Sequence, residues 1–435
     1  MTDISTFATA PVDPTSRERL AGSGLDYRAV DAASDDYPGW LRAVARGFHG
    51  AEPSADETTA GRARNTHKRL IGVFDASSAD PATAVATVAS WGGALTLPGG
   101  EIDAWAITAV TVAQTHRRRG VARALLEGEL RAAHGAGAPI AMLTVSESTL
   151  YGRYGFASAA SAAILDIDTR RVRWTGPEAP GRLDFVSREI ARELVVQLHD
   201  EARRRAPGDI SLPPGHEDRY TGTAPDAKHG ADIRCVQYVD VEGRPRGVVT
   251  YTISEHERDN TKSTAKVVAL IAATDDAYAA LWRFLFDLDL VAHVRAELQS
   301  VDEPVLWMFD DRRAAGVAVF DHQYLRILDV PAVLTQRRYA AAGALVLDVR
   351  DPLGITTGEY LLRVDDGGVG TVTAVDGVPA DAVRVVIGVA ELSALSLGGV
   401  SASALARAGR IDTSDALAVA RLFAWPVTPR LSLWY

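Results

Sequence analysis

Cysteine occurs once in these 435 residues, at Cys235, so a disulfide scaffold and any cysteine-built zinc site are excluded. No stretch approaches the roughly 20 unbroken apolar residues of a membrane-crossing helix. The chain has no G-x-x-x-x-G-K-[ST] phosphate loop, no three-glycine dinucleotide fingerprint, no H-E-x-x-H pair and no G-x-S-x-G elbow. A P-loop enzyme, a metal enzyme and a serine hydrolase are therefore disfavoured. Positive charge is in the minority, with 46 Lys and Arg against 56 Asp and Glu, a net charge of −10. That balance argues against nucleic acid or an anionic membrane as a partner. The opening "MTDISTFATAPVDPTSRERLAGSG" has neither a basic start nor an apolar run. It is expected to be a flexible segment over residues 1–24 and not a secretory leader, which points to the cytoplasm.

What remains is an ordinary globular balance, 47% hydrophobic and 23% charged, in a chain long enough for two to four domains. From Leu25 the pattern becomes regular. "LDYRAV" reads as a strand and "SDDYPGWLRAVARGF" as a helix that Ser34 to Asp36 can cap, with Pro38 in its first turn. Two β-rich runs split at Ala79–Asp80–Pro81 follow. Then come the strand "EIDAWAITAVTVA", a basic loop, the helix "VARALLEGELRAAHGAG" and the strand "IAMLTVS". A similar order recurs later, where "VVALIAATDDAYAALW" matches "AVTVAQTHRRRGVARALL" in layout. The second copy lacks the arginines and the glycine, and carries Asp275 and Asp276 instead. An internal duplication whose second copy lost its loop chemistry is the reading. The last stretch changes to short strands between Gly, Asp and Pro turns, followed by helical pieces.

The basic loop is the strongest local signal. Arg117-x-x-Gly120-x-Ala122 lies between a strand and a helix. A helix start leaves amides unpaired and carries about half a positive charge, which suits an anion. Gly120 admits close backbone approach, Ala122 keeps the surface small, and Arg118, Arg119 and Arg123 add charge. Taken alone, the motif reads first as a solvated basic helix start. Its neighbours are an apolar strand before it and "LYGRYGF" after the next strand.

Together these resemble the GCN5-related N-acetyltransferase (GNAT) superfamily, in which Q/R-x-x-G-x-G/A cradles the pyrophosphate of acetyl-CoA. More closely, the chain resembles the enhanced intracellular survival (Eis) family. That resemblance rests on "VTVAQTHRRRGVARALL", "VSESTLYGRYGF", "HQYLRILDVPAVLTQRRYA" and "LSALSLGGVSASALARAGRI", and covers roughly residues 25 to 435. It implies an α+β chain of two tandem acetyltransferase-like domains, the second degenerate, and a C-terminal sterol-carrier-protein-like α+β domain. The expected boundaries are 25–178, 179–322 and 323–435. It also implies homo-hexamers that acetylate amines, including aminoglycosides and polyamines, from acetyl-CoA without a metal.

Residue by residue, the resemblance implies that Val110, Thr111 and Val112 bind pantetheine through the backbone. Arg118, Arg119, Gly120, Val121, Ala122 and Arg123 would contact phosphates, and Ser146 and Glu147 would line the CoA side of the cleft. Tyr151 would be the general acid and the main-chain carboxylate of Tyr435 the general base. Tyr37, Thr108 and Ala109 would line the amine pocket. The position where family members carry an acidic pocket residue falls at Gly50 here, so either Glu52, Asp56 or Glu57 substitutes or the pocket prefers a less cationic amine. The tail "WPVTPRLSLWY" reads independently as a packed final strand. The alternative from another functional class is a catalytically silent CoA-binding sensor or scaffold.

Overall fold

The structure, a computed structural model, describes residues 5–375 and 377–435. The chain forms two compact units, one from residues through 160 with 322–427 and 435, the other from 161–321 and 428–434. The first begins with helices α1 (Ser5–Ala8) and α2 (Pro14–Ala21) and strand β1 (Leu25–Val30). It continues with α3 (Tyr37–Gly47), α4 (Ala55–Asn65), β2 (Arg69–Asp75), β3 (Ala86–Leu97) and β4 (Gly100–Val112). Helix α5 (Val121–Gly135), β5 (Ile140–Thr144) and β6 (Ala157–Asp168) follow, and the chain leaves the unit within β6.

The strands of this unit run in the order β1-β2-β3-β4-β5. Their pairing is antiparallel except for β4 with β5. Helices cover both faces, which is why β2 and β3 read as apolar runs and not as alternation. On one face Trp105, Tyr27, Ile71 and Leu125 of α5 share a core with Phe7 of α1. On the other, Trp40 and Tyr37 of α3 pack with Leu70 and Phe74. Asp36 precedes α3 but makes no capping bond, because Arg28 holds its carboxylate through two bonds of 3.2 Å.

Residues 5–21, expected to be flexible, are instead folded onto this unit. Asp13 caps α2 by accepting from the Ser16 amide at 2.8 Å, and Pro14 occupies the first turn. Arg131 of α5 holds the same carboxylate at 2.8 and 3.0 Å. Phe7 and Leu20 are buried, and the Arg69 guanidinium donates to the carbonyls of Ala10 and Pro11. Asp13, Pro14 and Gly22 are start and stop signals that a reading focused on Ser, Thr and Pro content overlooks.

The second unit holds β7 (Arg182–Val186), α6 (Arg188–Arg203), α7 (His216–Thr221), β8 (Arg234–Val239) and β9 (Pro245–Ser254). Then come β10 (Ser263–Ala272), α8 (Asp275–Phe286), β11 (Val291–Gln299) and β12 (Ala315–Ile327). Its strand order is β6-β11-β10-β9-β8-β7, with β10 and β11 parallel. Trp282, Leu281 and Tyr251 anchor its core.

Within β12 the chain re-enters the first unit. Helix α9 (Val330–Gln336) leads to β13 (Gly343–Arg350), β14 (Gly358–Val364), β15 (Gly370–Ala374) and β16 (Val383–Gly388). Then follow α10 (Val389–Leu395), α11 (Ala402–Arg407), β17 (Ile411–Thr413) and α12 (Ala416–Phe423). These strands make a separate sheet in the order β15-β14-β13-β16-β17.

The tail expected as a strand pairs in no ladder among the described residues. In the second unit, the Ser432 amide and hydroxyl both donate to Asp209, at 2.7 and 2.8 Å, and Leu431 and Leu433 are buried. No helix among the described residues is long and apolar enough to cross a membrane.

Candidate functional site: a strand fork, an uncapped helix and the last residue

The site begins where two strands part. β4 and β5 pair in parallel only over Trp105–Ala141, Ala106–Met142 and Ile107–Leu143. Beyond Ile107 the edge of β4 that faces away from β3 has no strand partner, so an extended amide chain can add to it. A bulge assists the opening. Thr87 pairs with Thr111 and Ala89 with Thr108, leaving Ala109 and Val110 opposite Val88 alone. Ala109 takes a left-handed φ of 51°, and its carbonyl accepts from the Thr87 hydroxyl at 2.8 Å. Val110, Thr111 and Val112 thus lie on the free arm of the fork, with Thr108 at its root.

The arm leads into the basic loop. His116 anchors the loop, its Nδ1 at 2.8 Å from the Thr115 hydroxyl and its Nε2 at 3.1 Å from Asp75. Hydrogen bonds from Ser77 and then His116 hold the Asp75 carboxyl down to about 2. Arg118 and Gly120 are both left-handed, at φ 61° and 77°. For arginine that conformation costs roughly 1–2 kcal/mol, strain of the kind found at ligand clamps. Gly120 precedes α5, which has no side-chain cap and no acid in its first turn. Arg117, Arg118 and Arg119 are exposed and pair with no carboxylate among the described residues. Val121 is buried and Ala122 exposed. Arg123, expected at a phosphate, lies along the helix and donates to Glu127 at 2.6 Å.

After β5 the chain passes exposed Ser146 and Glu147 and reaches Tyr151. Tyr154 and Phe156 donate their amides to the Tyr151 carbonyl, and Phe156 meets its ring edge-on at 6.2 Å. The Tyr151 hydroxyl has no hydrogen-bond partner among the described residues. Burial, aided by the Glu147 charge, pushes its pKa up to about 12. The turn is fixed from beneath. Gly155 has φ 86°, and a Cβ there would meet Val389 at 2.8 Å. Arg326 donates to the Tyr154 carbonyl at 3.3 Å and pairs with Asp351 at 2.6 Å, both side chains fully buried. A cleft of about 540 Å³ opens against Gly152, Gly155, Arg350, Glu391 and Arg410; none of the residues expected at the site lines it.

Tyr435 belongs to this first unit. The Thr144 hydroxyl donates to its main-chain oxygen at 2.7 Å, and its ring packs edge-on against Trp91 at 5.1 Å. Thr144 follows Leu143, the last β5 residue paired with β4. The terminal group is therefore tied to the root of the fork. Burial raises the pKa of the Tyr435 phenol, whose hydroxyl has no hydrogen-bond partner among the described residues.

The amine-pocket expectation needs one correction. Tyr37 is 0% exposed, stacks on Trp40 and accepts from Asn65 at 2.9 Å, so it is a core residue. Thr108 and Ala109 are half-buried on the fork. Glu57 closes a capping box with Ser54, which leaves Glu52 and Asp56 as the exposed acids there. Two positioning groups, His116 and Thr144, were missed because each acts through a partner distant in sequence.

Comparison with known proteins agrees with this layout. Residues 27–159 and 216–327 each match an acetyltransferase (GNAT) domain family, and 330–432 match a sterol carrier protein domain. An uncharacterized N-acetyltransferase of Streptomyces avermitilis is 35% identical over 89% of this chain and 92% of its own. N-acetyltransferase Eis of Mycobacterium tuberculosis is 30% identical over 75% of this chain and 79% of its own. The crystal structure of Eis1 from Mycobacterium abscessus superposes with a TM-score of 0.78 at 25% identity, covering 94% of this chain and all of that one.

Proposed function

We propose that this chain, which belongs to the Eis family of GCN5-related N-acetyltransferases, moves the acetyl group of acetyl-CoA to a primary amine by direct attack. The observation that carries the reading is the fork between β4 and β5. It opens beside an uncapped helix with three unpaired arginines, and the Tyr435 main-chain oxygen sits at its root. Val110 to Val112 would hold the pantetheine arm, and Arg118, Arg119 and the amides from Gly120 to Ala122 its phosphates. Ser146 and Glu147 would flank the thioester end.

The amine nitrogen attacks the thioester carbonyl and the C–S bond breaks. The Tyr435 carboxylate takes the ammonium proton, Tyr151 gives its proton to the departing thiolate, and solvent restores the phenol. An α-carboxyl of reference pKa about 3.5 cannot strip a bulk ammonium of about 10.4 efficiently. Proton loss must therefore accompany C–N bond formation, or the site must lower the amine's pKa. A phenol held near 12 stays protonated at neutral pH, as a general acid requires. The acceptor class is an aminoglycoside, a polyamine or a lysine side chain, with Thr108 and Ala109 shaping its pocket. Assembly as a homo-hexamer in the cytoplasm completes the proposal.

Thiol release from acetyl-CoA against a panel of an aminoglycoside, a polyamine, a lysine peptide and an arylalkylamine tests it. Turnover with any of them supports the reading. Tight acetyl-CoA binding with silence across the panel favours a sensor.

A further inference from the structure

We propose that Arg19, on helix α2, is an additional donor-binding residue that clamps a phosphate of acetyl-CoA over the start of α5. The idea rests on the acetyl-CoA reading above, but its residue lies outside the matched acetyltransferase domain, which begins at residue 27. Helix α2 is locked onto α5. The Ser16 hydroxyl donates to the Ala124 carbonyl at 2.7 Å, Arg131 grips the Asp13 cap, and Leu20 is buried. This docking brings the Arg19 guanidinium to the turn that opens α5. A Cβ placed on Gly120 would meet Arg19 Nη2 at 3.6 Å and, its chain neighbours aside, no other atom of the described residues within 4 Å.

Charge at this corner is out of balance. Among the described residues Glu127 is the only carboxylate paired with Arg19, at 3.7 Å, and it already accepts from Arg123 at 2.6 Å and faces Arg131 at 3.8 Å. Three guanidiniums thus converge on one carboxylate, beside the three unpaired arginines of the loop. Arg131 has Asp13 as a second partner, whereas Arg19 has no other among the described residues and its side chain remains 44% exposed. In a chain of net charge −10, such a local surplus next to open helix amides is matched by a multiply charged anion. Arg19 also sits in the last turn of α2, where it offsets that helix's own dipole. That role needs only a positive charge facing solvent and does not account for its position over Gly120.

The test compares two donors with one amine, acetyl-CoA and S-acetyl-pantetheine, the second lacking every phosphate. Arg19→Ala is expected to lower kcat/KM about tenfold for acetyl-CoA, the loss of one charge-assisted bond, with S-acetyl-pantetheine unchanged. Arg19→Lys should recover part of the loss. Equal losses with both donors would make Arg19 merely structural, and no loss with acetyl-CoA would remove it; either overturns the proposal. Wild-type protein inert toward acetyl-CoA would instead sink the acetyl-CoA reading itself.

Discussion

The two acetyltransferase-like copies open their helices in opposite ways. Both have a strand that parts from a parallel neighbour: β4 leaves β5 after Ile107, and β10 leaves β11 after Val267. Both carry a bulge near the parting, at Ala109–Val110 and at Val268. Their helices then differ. α5 starts on left-handed Gly120 with no acid in its first turn, and no side chain among the described residues caps it. α8 starts on Thr274, whose side chain accepts from the Ala277 amide at 3.2 Å, with Asp275 and Asp276 in its first turn. Arg205 donates to the Ala273 carbonyl at 2.9 Å and pairs with Asp275. The second helix start is satisfied by its own chain, so an anion meets an occupied donor and a repelling charge. On the proposed reading, the shared fold is not enough for a donor site, and the open helix start is what sets the first copy apart.

Breaking the first copy gives the largest expected effect. Arg118→Asp with Arg119→Asp gives its loop the sign of the second copy, and should weaken acetyl-CoA binding by at least about 100-fold in titration calorimetry. Tyr151→Phe comes next, with kcat falling about 10²–10³-fold and acetyl-CoA affinity nearly unchanged. Residues 300–310, which follow β11, contain no tyrosine, another way in which the copies part. Because the Tyr151 phenol is held near 12, no loss of rate from its ionisation should occur between pH 7 and 10. A limb at pH 8 that vanishes in the Phe variant would contradict that.

Thr144→Val removes the hydroxyl that donates to the Tyr435 oxygen, and kcat should drop about tenfold while Thr144→Ser stays near wild type. Smallest is Thr274→Ala in the second copy. It should cost about 1 kcal/mol of stability in urea unfolding and leave thiol release untouched. A fall in turnover with that variant would give the second copy a role denied to it here.

The basic loop was legible as a candidate site because its features are local: three arginines, a glycine and a strand–helix junction lie within a few residues. The duplication was legible from the same local layout. Contacts between distant segments were not. Arg19 and Gly120 lie about a hundred positions apart, and Thr144 and Tyr435 are separated by 291. The sequence marks each residue but not its partner. Tyr37 was misjudged because an aromatic beside a helix start fits a pocket or a core, and only the packing of Trp40 and Asn65 around it decides. The tail was read correctly as buried but wrongly as a strand. Asp209 satisfies its backbone where a ladder was expected.

The central claim is that one chain offers one donor site, at the first fork. Titration of CoA into the full chain measures this directly. The expected result is one CoA per chain, with affinity lowered at least about 100-fold by the Arg118→Asp/Arg119→Asp pair and unaffected by Thr274→Ala. Two equivalents per chain, or an affinity that the charge reversal leaves unchanged, would contradict it.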